Sequence, residues 1–137
     1  MARLPSSPAA RHLFPRQARL TSGRQFQETI RGGFKSRDRY FRVHARPNGR
    51  EYVRLGLAVS RRVDKRAVER NRLKRLIRDS FRLKQKELAT DRGLDIVVVA
   101  LTGAAAAERQ ILSQSLAEHW RSLIQASVLH KKEKLQD

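Results

Sequence analysis

Cysteine is absent from the 137 residues. That excludes a disulfide framework, a thiolate metal site and a cysteine nucleophile. Acids are scarce, with 13 Asp and Glu against 31 Lys and Arg. No apolar run approaches the roughly 18 residues of a membrane span. The four histidines, His12, His44, His119 and His130, show neither an H-E-x-x-H pattern nor paired metal-ligand spacing. Glu118 and His119 are adjacent, so on a helix their side chains diverge. The seven glycines form no phosphate-cradling G-x-x-x-x-G-K-[ST] loop. Asp91 and Asp95 are close in sequence but lack the partners of a metal-dependent nuclease site. The sequence therefore offers no catalytic residue and no metal ligand, and a self-sufficient nuclease is the weakest of the functions weighed.

What is present is positive charge. The formal net charge is +18 and the pI about 11.7, while 39% of residues are hydrophobic. The length suits one domain with one modest core. The charge exceeds what solubility needs and points to a polyanion, without choosing among RNA, DNA and an anionic membrane surface. Residues 1–18 are rich in Pro and Arg and lack periodicity, so they read as a basic disordered arm. They have no secretory h-region, which suits a cytoplasmic protein. The domain is expected over 19–127, followed by a charged tail over 128–137.

The densest block of charge is Arg61–Arg82, RRVDKRAVERNRLKRLIRDSFR. On a helical period Leu73, Leu76, Ile77, Ser80 and Phe81 gather on one side, and Asn71, Lys74, Arg75, Arg78 and Arg82 on the other. Asp64 is placed to cap this helix. Glu69 and Asp79 are its only acids between Lys65 and Lys86. Like charges one turn apart destabilise a helix, so such a face costs stability unless an anion meets it. Arginine forks match phosphate, and Arg70, Arg72, Arg75, Arg78 and Arg82 supply them.

Around this block the remaining elements follow in order. Ser22 and Gln25 have capping-box spacing for a first helix that Gly32-Gly33 ends. A strand over 39–46 alternates, with Phe41, Val43 and Ala45 on one face and Tyr40, Arg42, His44 and Arg46 on the other. Asn48-Gly49 predicts a tight type I′ reversal into a second strand over 52–60. Val53, Leu55, Leu57 and Val59 form its core face, and Arg54, Gly56, Ala58 and Ser60 the other. The small residues there let a ligand, or the first helix, lie close to the sheet. Ile96–Leu101 reads as an inner strand buried on both faces. A last helix is expected over 105–127, with Leu112, Leu116, Trp120, Leu123 and Ile124 as its stripe. The order α-β-β-α-β-α gives a single α+β domain with a small sheet packed against helices. Phe26, Tyr40 and His44 beside Arg42 suit single-stranded nucleic acid, where bases stack and phosphates pair.

At Ala67–Phe81, AVERNRLKRLIRDSF, the chain resembles the bacterial ribonuclease P protein component. That family carries R-N-R followed by x-[KR]-R-x-x-R, matched by Arg70, Asn71, Arg72, Lys74, Arg75 and Arg78. GLAVSRRV (56–63) and RLTSGRQFQETIRGG (19–33) resemble its strand and first helix, and the resemblance spans 19–125. It implies a ribosomal-protein-S5-domain-2-like fold with a left-handed βαβ crossover. It also implies an accessory subunit of a ribonucleoprotein endonuclease that removes the 5′ leader of precursor tRNA. The catalytic centre would lie in the RNA, with Mg²⁺ for the holoenzyme bound mainly there and none required by this chain. The partners would be the catalytic RNA and the single-stranded leader, with no membrane and no obligate protein partner. Carried over by position, Arg61, Arg62, Arg70, Asn71, Arg72, Lys74, Arg75 and Arg78 would bind RNA, and the charge of the same block adds Lys65 and Arg82. Phe26, Ile30, Arg42 and His44 would line the leader cleft, with His44 in place of a more usual aromatic, and Tyr40, grouped with them above, is assigned to the same cleft. A general RNA-binding module, such as a ribosomal protein or RNA chaperone, is the alternative.

Overall fold

A computed structural model describes residues 19, 20, 22–88 and 93–136, with side chains described as far as 127. The basic arm expected over 1–18 lies outside the described residues. Helix α1 (Gly23–Arg31) begins where Ser22 Oγ accepts from the Gln25 backbone N–H. Gly33, at φ +42°, turns the chain into β1 (Phe34–Arg37), a strand missing from the sequence-based expectation. Strand β2 (Phe41–Pro47) follows a turn at 38–40 in which Asp38 Oδ1 accepts from the backbone N–H of Tyr40 and Phe41 at 2.8 and 2.9 Å. After β3 (Arg54–Ala58) come α2 (Ala67–Leu88), β4 (Leu94–Ala100), a 3-10 turn (Thr102–Ala104) and α3 (Arg109–Gln136). The α-β-β-α-β-α order thus holds, with β1 added ahead of β2.

The four strands lie in the order β1-β2-β4-β3, with β3 parallel to β4 and the other pairs antiparallel. The expected hairpin across Asn48-Gly49 does not form. A type I′ turn needs positive φ at both residues, and only Gly49, at +71°, has it. The apolar run of β4 is inserted between β2 and β3 instead, so 48–53 must bridge across its first residues. Gly93 meets that loop, accepting from Asn48 N–H and donating to the Arg50 carbonyl. A Cβ at Gly93 would overlap the Tyr52 carbonyl, so only glycine fits beneath the loop. Ile96, Val97 and Val98 are fully buried, as befits a central strand.

One sheet face carries the main core. Phe41, Val43 and Ala45 of β2, Ile96, Val98 and Ala100 of β4 and Leu55 of β3 belong to it. Leu73, Leu76, Ile77 and Phe81 of α2 and Leu112, Leu116, Trp120 and Leu123 of α3 complete it. Phe81 meets Trp120 edge to face at 6.0 Å, and the indole N–H donates to Ser80 Oγ at 2.8 Å. His119 ties α3 to β1 and the turn that follows it. Its Nδ1 lies 2.6 Å from Ser36 Oγ and its Nε2 3.1 Å from Asp38 Oδ2. Burial alone would raise the Asp38 pKa. Hydrogen bonds from Ser115, Phe41 and Tyr40, with the His119 charge, bring it below the usual carboxylate value.

Two details of the helices differ from expectation. Asp64 is not the cap of α2: the Arg66 carbonyl accepts the first-turn N–H groups of Glu69 and Arg70, both at 3.1 Å. Asp64 instead closes the preceding turn, accepting from Arg66 N–H at 2.9 Å and pairing with its guanidinium. Helix α3 continues to Gln136, into the stretch read as tail.

The other sheet face is joined to α1 by an ion pair and a hydrogen bond. Asp95, fully buried, accepts from Arg54 Nε and Nη2 at 2.8 and 2.7 Å and from Asn48 Nδ2 at 2.9 Å. Arg54 reaches on to Gln25 of α1, and Arg46 pairs with Glu28 of α1 at 3.0 Å. Removing one partner of a buried pair leaves the other charge uncompensated. Asp95→Ala should therefore cost roughly 3–5 kcal/mol, read as a lower urea midpoint.

Candidate nucleic-acid interface

Two cationic surfaces emerge from this frame. On α2 the apolar residues Leu73, Leu76, Ile77 and Phe81 are buried, so the helical period turns Asn71, Lys74, Arg75 and Arg78 outward or to the flank. Among the described residues Lys74, Arg75 and Arg78 have no acidic partner. Burial and the neighbouring Arg19 guanidinium both lower the Arg78 pKa, although an arginine stays charged at neutral pH. Two like charges held together in this way favour an anion between or beside them. Arg61, Arg62 and Lys65 extend the surface, exposed on the turn that leads into the helix.

Three residues of the expected set have other engagements. Arg70 Nη1 donates to the carbonyls of Asp64 and Lys65 at 3.1 and 2.8 Å, bracing the turn before the helix. Arg82 pairs with Asp79 at 3.1 Å. Arg72 leans toward Glu69 at 3.7 Å and lines a groove between α2 and α3 with Leu73 and Leu76.

The second surface is the α1 side of the sheet, where pairing aligns side chains in three rows. Arg46, Asp95 and Arg54 form the first row, neutralised as described. Lys35, His44, Val97 and Gly56 form the second. Arg37, Arg42, Val99 and Ala58 form the third. Phe26 of α1 lies on Gly56, where a Cβ would sit 2.8 Å from its ring. The small face of β3 therefore admits the first helix itself, and the aromatic ring is set down against the sheet. Phe26 and Ile30 remain partly exposed, as do Arg42, Val99 and Ala58 of the third row. An aromatic wall thus stands over an aliphatic floor with arginines at its far end. Bases can stack on such a wall while phosphates meet the cations.

His44 is 4% exposed, and neither ring nitrogen has a hydrogen-bond partner among the described residues. Burial, then the charges of Arg42 and Lys35, lower its pKa below the ordinary imidazole value. Tyr40 does not join this face. It lies in the 38–40 turn and packs against the main core. Lys35 and Arg37 were not expected from the sequence because β1 was not. The alternation in FKSR between Gly33 and the Asp38 turn was the available signal. Among the described residues, no group of three or more His, Asp or Glu side chains could hold a metal ion. No described helix is long and apolar enough to cross a membrane.

The His44 shift fixes a pH dependence. As pH falls below about 6.5 the unfolded imidazole takes up a proton that the folded one resists, so stability declines. His44→Phe should flatten the fall in Tm between pH 7.5 and pH 5, measured by thermal denaturation.

Comparison with known proteins gives consistent matches. A profile of the family described as Ribonuclease P matches residues 14–124. The chain is 42% identical to the ribonuclease P protein component of Methylococcus capsulatus over 113 residues, 82% of this chain and 86% of that one. It is 41% identical to that of Pseudomonas entomophila over 114 residues, 82% of this chain and 84% of that one. The RNase P protein structure from Staphylococcus aureus matches with a TM-score of 0.67 at 28% identity, covering 77% of this chain and 94% of that one. That from Thermotoga maritima matches with a TM-score of 0.65 at 30% identity, covering 76% of this chain and 96% of that one.

Proposed function

The chain belongs to the ribonuclease P protein family, and from that membership we propose that it is the accessory subunit that binds the catalytic RNA through α2 and the 5′ leader of precursor tRNA on the α1 side of the sheet. The observation that carries this reading is the α2 stripe. Its unneutralised cations destabilise the isolated protein and are compensated when RNA phosphates arrive. The leader, being single-stranded, takes the second surface, with a base against Phe26 and its backbone toward Arg42. Ile30 adds an aliphatic wall there, and His44 a neutral imidazole beneath. Arg61, Arg62, Lys65 and Asn71 extend the interface with the catalytic RNA. Arg70, Arg72 and Arg82 act there too, after exchanging their internal partners for phosphate.

In this reading the catalytic centre lies in the RNA, which would hold the Mg²⁺ of the holoenzyme and supply the hydrolytic chemistry, and this chain contributes no ligand to it. The protein's contribution is positional. By holding the leader it raises the affinity for precursor over mature tRNA, because only the precursor presents that strand. The complex acts in the cytoplasm and requires no other protein.

The deciding experiment is cleavage of a precursor tRNA by a bacterial ribonuclease P RNA at low Mg²⁺, with and without this protein. Stimulation by the pair, with no cleavage by the protein alone, is expected. RNA binding without stimulation would favour the general RNA-binding module instead. The α2 surface has its own test. Arg70 braces the 64–65 turn, so the variant that leaves the fold untouched is Lys74→Ala/Arg75→Ala/Arg78→Ala. It should weaken binding to the catalytic RNA. The salt slope should fall by about 0.7–0.9 for each phosphate that no longer meets a cation, measured by filter binding across a salt series.

A further inference from the structure

The α1 side of the sheet is neutralised at one end only. In the first row every cation meets a carboxylate: Arg46 meets Glu28, and Arg54 meets Asp95. In the other two rows Lys35, Arg37 and Arg42 meet none among the described residues. Lys35 and Arg37 are exposed on β1, the edge strand. Arg42, beside Arg37 in the ladder, is half-buried, and its buried Nε–H has no acceptor among the described residues. A buried donor without an acceptor costs stability until one reaches it. The potential of this corner has a second witness, since the charges of Arg42 and Lys35 both press the His44 pKa down.

We propose that Lys35 and Arg37, with Arg42, form a phosphate subsite on β1 that holds single-stranded RNA beyond the nucleotide stacked on Phe26. The proposal rests on the accessory-subunit reading and lengthens its leader site. All three side chains only donate, which suits phosphodiester oxygens rather than a base edge. From β3, where Phe26 sits, to β1 is three interstrand gaps, about 14 Å, more than one nucleotide step. The turn that leads into α2 follows β3, so RNA engaged by α2 enters the face on that side. The strand then runs over Val99 and leaves past β1, which places the distal leader at Lys35 and Arg37.

The test uses the reconstituted complex of this protein with a bacterial ribonuclease P RNA. Two precursors are compared, one with a leader that ends within the cleft and one with a leader long enough to reach β1. Lys35→Glu/Arg37→Glu should bind the long-leader precursor about tenfold more weakly. It should bind the short-leader precursor as the wild type does. With two phosphates left unneutralised, the salt slope for the long leader should also fall by about 1.4. Both residues are exposed, so the fold should persist, as an unchanged Tm would verify. The neutral variant Lys35→Gln/Arg37→Gln should show a smaller loss of the same kind. Unchanged affinity for the long leader, or equal losses on both precursors, would overturn the subsite. If the wild-type protein stimulated no cleavage, the accessory-subunit reading would fall and the subsite with it. Stimulation by the wild type with indifference to the variants would remove the subsite alone.

Discussion

The Asp95 carboxylate is the constraint on which the arrangement of this fold depends. It has no access to water, so its charge must be met from within the protein. Arg54 meets it from β3 with two hydrogen bonds, which favours the parallel register in which Arg54 stands opposite Asp95. Asn48 meets it from the loop that crosses the start of β4, and the same Asn48 amide donates to the Tyr52 carbonyl. Arg54 then reaches Gln25, so α1 is oriented by the same cluster. One charge thus coordinates a strand pairing, a loop crossing and a helix position. Each belongs to the platform on which the proposed leader site is built.

The placement of acids explains how so basic a chain folds at all. Its 13 carboxylates cannot neutralise 31 cations, so where they stand decides which cations are internal structure. Asp64 holds Arg66 ahead of α2, Glu28 holds Arg46 under α1 and Asp95 holds Arg54 within the sheet. These pairs join elements to one another or close turns. Among the described residues, Lys74, Arg75 and Arg78 of α2 and Lys35, Arg37 and Arg42 at the β1 end of the sheet meet no carboxylate. The self-repulsion of those regions lowers the stability of the free protein, and phosphate relieves it. In the proposed function, separation of the two surfaces lets the catalytic RNA and the leader be engaged at once.

Much of this was legible in the sequence because periodicity and charge report on local faces. The apolar stripe of α2 fixed its outward cations, and IVVVAL announced a strand covered on both sides. What failed was non-local. Asn48-Gly49 has the composition of a hairpin turn, yet β4 separates the strands on either side of it. Nothing within the turn encodes that insertion, whose cause is the hydrophobicity of a segment some fifty residues later. Strand β1 was missed because FKSR is short and polar outside, as an edge strand with one solvated face tends to be. That error hid Lys35 and Arg37, and it put Tyr40 on the wrong face, since the strand begins only at Phe41. Asp64 was a sound capping candidate by type, but Arg66 intervenes and engages both of its oxygens.

Gly56 shows how a backbone choice in β3 shapes the proposed leader site. A Cβ there would meet both the Phe26 ring and the Leu20 carbonyl, so even alanine would push on α1 and on the segment that leads into it. The missing side chain therefore sets the depth of the aromatic wall over the floor. That depth matters because it sets how the Phe26 ring is presented to a base that stacks on it. A helix lifted by a methyl group would leave the wall intact in composition but displaced from the floor. The first row opposes such a displacement from either side of Phe26, through Arg54 to Gln25 and Arg46 to Glu28. The helix is thus held at a fixed height by contact at Gly56 and by an ion pair and a hydrogen bond at the neutralised row. The third row carries no hydrogen bond or ion pair to α1 among the described residues, which leaves it open for the strand in the proposed leader site.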